Sequence, residues 1–188
     1  MKKLFLLKAF LLILAAGFVS CGDDSGPADY DSGNLIGSYT GNCVIQLGTT
    51  KLQTINSFPA EFKQNDTKSL YLGLGNEAAY KSIRISIIKT ATGFKDYGNY
   101  VQFNIENINV NFTADRIPEF FKNNIDLSFE KEKMTLKLAS DSKNPPTFIK
   151  TSKILTVTYT GSVEITGSKP NQKYSDSITY SINVNKKN

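Results

Sequence analysis

The chain reads as an all-β protein, an antiparallel β-barrel of roughly eight to ten strands with one or two short helices, with a β-sandwich as the alternative. Three observations predict this. Apolar and polar residues alternate through segment after segment, those segments are rich in β-branched and aromatic residues, and Gly, Pro and Asn clusters separate them.

The first residues belong to something else. Met1-Lys2-Lys3 is basic, and Leu4 to Val19 is apolar sequence with a charge only at Lys8. Its length of about sixteen residues falls short of a membrane span. Ser20 then precedes Cys21, as at the cleavage site of a secretory signal. Val19-Ser20-Cys21 resembles the end of a bacterial lipobox, although Phe18 departs from the usual aliphatic residue. The resemblance implies that residues 1–20 are a lipoprotein signal peptide and that Cys21 carries the lipid. Several acyl chains anchor a protein stably without a membrane helix. Residues 21–34 are acidic and Gly/Ser-rich, the composition of a flexible tether. Asp23-Asp24 looks like the acidic export signal of Bacteroidetes lipoproteins, which implies the cell surface, with the periplasmic face of the outer membrane as the alternative.

Residues 35–188 form a single β domain long enough for a sizeable core. Loss of the three signal lysines leaves 19 basic against 17 acidic residues, a net of +2, which is no footprint for nucleic acid. There is no histidine, so Ser-His-Asp triads and His-ligated zinc are excluded. Cys43, the one remaining cysteine, lies in an alternating stretch and reads as a small buried residue.

The strands follow in order. From Leu35 to Leu47 one face holds Leu35, Tyr39, Cys43, Ile45 and Leu47, with Gly37 and Gly41 on that same face, as in a bent or coiled strand. Leu70, Leu72 and Leu74 alternate, as do Ile83, Ile85 and Ile87, then Met134, Leu136 and Leu138. Leu155, Val157 and Tyr159 form another set, and Ile178, Tyr180, Ile182 and Val184 the last. Val101, Phe103 and Ile105 are out of phase with Ile108, Val110 and Phe112, so a bulge or turn is expected at Glu106-Asn107. Gly161 marks a bend or bulge between Tyr159 and Val163. Breakers stand at Gly48 to Thr50, Gly75-Asn76, Thr92-Gly93, Asn144-Pro145-Pro146 and Gly167 to Asn171. A helical turn is expected over 76–81, and a short helix over Asp115 to Lys122, where a capping residue and an early Pro precede a Phe pair.

Chemistry-bearing patterns are few. The carboxylates flank turns or alternate outward, Gly73-Leu74-Gly75 lacks the rest of a phosphate loop, and Asp29-Tyr30-Asp31 lacks the ligand series of a calcium loop. No metal site, cofactor or enzyme activity is expected. Tyr71, Tyr97, Tyr100 and Tyr174 are candidate sugar platforms. Tyr39, Ile45, Val157, Tyr159 and Tyr180 are in phase with the core and are the candidate lining of a ligand cavity. Asp176-Ser177-Ile178 matches the three-residue pattern of Bacteroides protein O-glycosylation.

With its Gly37-Ser38-Tyr39-Thr40-Gly41 opening, the chain resembles uncharacterised lipoproteins of gut Bacteroidales, some of them calycin-like or lipocalin-like, although the lipocalin Trp is absent. The resemblance implies a lipid-anchored, non-catalytic β module on the outer membrane. The expected partners are the membrane and a small hydrophobic or glycan ligand. The alternative is a structural accessory that binds an outer-membrane protein.

Overall fold

The computed structural model describes residues 27–75 and 87–188. The lipobox, Cys21, Asp23-Asp24, the helical turn expected over 76–81, Ile83 and Ile85 lie outside the described residues. In chain order the elements are β1 (Ala28–Asp29), a 3-10 turn (Ser32–Leu35), β2 (Gly37–Leu47), β3 (Thr50–Gln64) and β4 (Ser69–Leu74). Next come β5 (Ile87–Asp96), β6 (Tyr100–Ile105), β7 (Ile108–Thr113), a 3-10 turn (Ala114–Arg116) and the short helix α1 (Glu119–Asn124). β8 (Lys133–Ser140), β9 (Thr147–Ile149), β10 (Ile154–Thr166) and β11 (Lys173–Lys186) complete the chain.

The fold is all-β and antiparallel. The pairings run β2-β3-β4-β5-β6-β9-β10-β11, and β11 pairs back onto β2, so the sheet is ring-like. β7 and β8 extend this ring beside β10, which pairs β9 along Ile154 to Thr156 and β8 along Tyr159 to Thr166. β6 with β7, and β8 with β9, are thus two interrupted strands of one long hairpin. Closing a sheet this way removes most of the exposed edge that an open one would carry.

The first interruption is the expected phase slip. β6 stops at Ile105 and β7 starts at Ile108, so both isoleucines point into the core despite their odd spacing. At the break the Glu106 N–H donates to the Thr90 carbonyl at 3.1 Å, and the Glu106 carboxylate accepts the Thr90 N–H at 3.1 Å. A side chain therefore replaces one ladder acceptor.

Gly161 has a different role. β10 keeps its register against β11 through this position, so there is no bulge. The neighbouring strand lies so close that a Cβ here would stand 1.9 Å from the Lys137 carbonyl oxygen. Gly41 is similar, with the Asn183 carbonyl 2.2 Å from where its Cβ would be. Glycine is required at both for close backbone approach.

The Thr92-Gly93 breaker is not a turn. It is a bulge inside β5, where the register against β6 shifts between Thr92 and Lys95. The turn falls instead at Tyr97 to Asn99, with Gly98 at φ 81°.

Within the segment expected as tether, residues 28–34 make contacts with the domain. Ala28 and Asp29 pair with Asp96 and Lys95 of β5, and Asp31 caps the 3-10 turn by accepting the Gly33 N–H at 3.0 Å. Leu35 is fully buried, and the Tyr39 hydroxyl donates to its carbonyl at 2.7 Å. Residues 28–35 are therefore packed against the β domain. One buried leucine and a strand pairing hold the segment despite its polar composition.

This N-terminal strap covers one end of the ring, over an aromatic cluster. Tyr39 meets Phe62 edge-on at 5.8 Å and Phe148 at 6.3 Å, and Phe62 meets Phe103 at 5.7 Å. The far end carries the turn and helix expected over Asp115 to Lys122, where Ile117, Phe121 and Ile125 are buried.

Candidate functional site

The register places the five candidate lining residues unequally. Ile45, Tyr180 and Tyr159 are direct cross-strand neighbours on β2, β11 and β10, forming one row across three strands. Val157 lies in the next row, opposite Ile182, which is itself opposite Cys43. Tyr39 is apart, near the strapped end. All five are buried in the single apolar core, none more than 4% exposed.

Two of the three tyrosines have structural partners. Tyr39 holds the strap, and the Tyr159 hydroxyl donates to the Glu106 carbonyl at 3.3 Å, at the break between β6 and β7. The Tyr180 hydroxyl is buried with no hydrogen-bond partner among the described residues. Burial pushes all three phenols above their ordinary range, and Cys43 adds to the shift at Tyr180. Burial likewise pushes the Cys43 thiol up to about 12, which keeps it inert.

A second location was not anticipated as a site. A groove of about 420 Å³ is lined by residues of β7, β8 and β10 and by Asn107 beside them. Its floor is Ile108, Leu138, Ala139 and Gly161, and its polar rim is Asn107, Asn109, Lys137, Thr160 and Ser162. Register explains the arrangement. Ile108, Leu138 and Gly161 form one cross-strand row, and Asn109, Lys137 and Ser162 form the next. Ile108 and Leu138 are buried core residues, and at Gly161 the β8 backbone occupies the space a side chain would take. Both sequence irregularities that were legible, Glu106-Asn107 and Gly161, border this groove. Nothing in composition linked them, because their proximity arises from pairing across β8.

The rim offers two carboxamides, two hydroxyls and one ammonium over an apolar floor. It holds no carboxylate. Among the described residues the carboxyls with shifted acidity are all moved down by hydrogen bonds: Asp29 by Lys95, Asp66 by the Lys68 N–H, Asp96 by Lys150, Glu106 by the Thr90 N–H, Asp115 by Thr113 and Asp141 by Asn144. A glycosidase-type acid needs the opposite shift. No three His, Cys, Asp or Glu side chains converge as metal ligands among the described residues.

The other sequence-level candidates are scattered. Tyr97 and Tyr100 are exposed and stacked at 5.1 Å with 12° between their planes, in and beside the β5–β6 turn. Tyr71 is exposed on β4, while Tyr174 is half-buried on β11, its hydroxyl donating to Asp176 at 3.1 Å. Ser177 is exposed on β11, opposite Ser162 of the groove rim. Comparison with protein-family models, curated proteins and solved structures finds no match for this chain.

Proposed function

We propose that the protein is a lipid-anchored outer-membrane lipoprotein, displayed at the cell surface, whose β domain is a non-catalytic binding module. The observation that carries the binding reading is the groove across β7, β8 and β10. Its volume falls in the range of small-ligand sites, and its mixture of amides, hydroxyls and one ammonium over an apolar floor suits a polyhydroxylated ligand such as a glycan. The five core residues named from sequence favour a structural role over ligand lining, since each is buried in one continuous core. A hydrophobic ligand inside the ring is therefore the weaker reading, supported only by the unpartnered Tyr180 hydroxyl.

The anchoring part rests on the apolar leader and on Ser20-Cys21. No helix among the described residues is long and apolar enough to cross a membrane; acyl chains on Cys21 would supply stable anchoring. Ser177, exposed and next to the groove rim, is a candidate glycosylation position on the same face.

Titration of the purified lipoprotein with neutral and carboxylated oligosaccharides tests the binding reading. Ser162→Trp, which fills the groove, should abolish binding, and Lys137→Ala should weaken it about tenfold. Undiminished binding by both variants would reject the groove as the site.

A further inference from the structure

Among the described residues the exposed apolar side chains are distributed unevenly about the ring. The large exposed hydrophobics among these residues are Ile36, Tyr71, Ile88, Tyr97, Tyr100 and Ile149. Four of them stand at the strapped end: Ile36 just before β2, Tyr97 and Tyr100 at the β5–β6 turn, and Ile149 at the close of β9. Tyr71 is on the flank, and Ile88 belongs to the far end. Tyr100 and Ile149 are direct cross-strand partners, and Tyr97 stacks on Tyr100, so these three are contiguous. Nearby, Lys150 pairs with Asp96 at 2.6 Å and stands over the Tyr30 ring at 5.3 Å. Lys68, Lys153, Lys186 and Lys187 occupy the remaining turns and the C-terminal strand end on this side.

This is also the end at which the chain emerges towards Cys21. Pro27 immediately precedes β1, and five residues separate it from Cys21. Even fully extended, that stretch reaches only about 20 Å. A tether so short holds the strapped end within reach of the headgroups and gives a weak surface contact a high effective concentration. Tyrosine favours that boundary, because its ring is apolar and its hydroxyl stays wet, and lysines nearby favour anionic lipid.

We infer that the strapped end, through Tyr97, Tyr100, Ile149 and Ile36, rests on the headgroup region of the membrane that holds the Cys21 lipid. The inference rests on the lipid-anchored reading above. It orients the molecule: the Gly48-Thr49 and 167–172 turns and Ser177 point away from the bilayer, and the groove stands clear of it on the flank.

The chain has no tryptophan, so a single one reports its own depth. Tyr97→Trp, Tyr100→Trp and, as the far-end control, Tyr174→Trp would be made in the full chain, isolated lipidated from its host. Each is reconstituted in phosphatidylethanolamine–phosphatidylglycerol vesicles carrying acyl chains brominated near the headgroup. The expected result is blue-shifted, quenched emission from positions 97 and 100 and none from 174. Equal emission from all three in quenching and plain vesicles overturns the inference, as does a shift at 97 or 100 caused by oligosaccharide and not by lipid, which would make the pair a sugar platform. Vesicle flotation and the mass of the Cys21 peptide separate the two readings. Flotation of modified protein without quenching removes only the orientation, whereas an unmodified Cys21 removes the anchor and the orientation with it.

Discussion

Gly161→Ala isolates the close packing that shapes both the ring and the groove. A Cβ at this position would lie 1.9 Å from the Lys137 carbonyl oxygen and 2.9 Å from the Leu138 Cα. Ordinary contact begins near 3.4 Å, so β8 and β10 must separate locally by about 1.5 Å. Both obstacles are backbone, and neither can rotate away. That opening stretches the adjacent ladder bonds beyond hydrogen-bonding range, at about 1 kcal/mol each, and adds an overpacking cost of about 1–3 kcal/mol. The expected destabilisation is about 3–5 kcal/mol, or a fall in Tm of roughly 10 °C for a domain of this size. Urea unfolding followed by circular dichroism measures it. Gly73→Ala is the control, since its nearest neighbour is the Glu61 carbonyl at 3.8 Å and its backbone is ordinary strand. It should change stability by less than about 0.5 kcal/mol. If Gly161→Ala matched that control, the tight approach of β8 to β10 would be wrong, and the account of the groove floor would go with it.

Other outcomes follow from the core. Tyr39→Phe should cost about 1 kcal/mol through loss of the bond to the Leu35 carbonyl, whereas Tyr180→Phe, removing an unpartnered hydroxyl, should be neutral or stabilising by about 1 kcal/mol in the same unfolding assay. A destabilised Tyr180→Phe would show that this hydroxyl has a polar partner, and would revive the interior ligand site. Cys43 should resist iodoacetamide at mildly alkaline pH and react only as fast as the domain unfolds, because burial holds its thiol up at about 12; rapid labelling of native protein would contradict the packing. Stability should fall steeply with alkali. Tyr39, Tyr159 and Tyr180 keep their protons in the folded state past the unfolded value near 10, so above that pH the unfolded chain binds fewer protons and gains. Three such groups give a slope of up to about 4 kcal/mol per pH unit, readable from urea midpoints against pH.

The sequence by itself determined the class of fold and much of the core. Period-two alternation set the inward faces of β2, β4, β8, β10 and β11 because a strand sends successive side chains to opposite sides, whatever it pairs with. The break at Glu106-Asn107 was legible on the same ground, since Ile105 and Ile108 cannot both face inward along one regular strand. β3 escaped notice because its first half is polar and exposed and Pro59 stands in its second. Which strands are neighbours is a long-range outcome that alternation does not encode. Only the tertiary structure therefore decided that β11 closes onto β2, that β8 and β9 share β10, and that Gly161 and Asn107 line one groove. It also decided that residues 28–35 are held as a strap, where one buried leucine and a two-residue pairing outweigh a composition that reads as free chain.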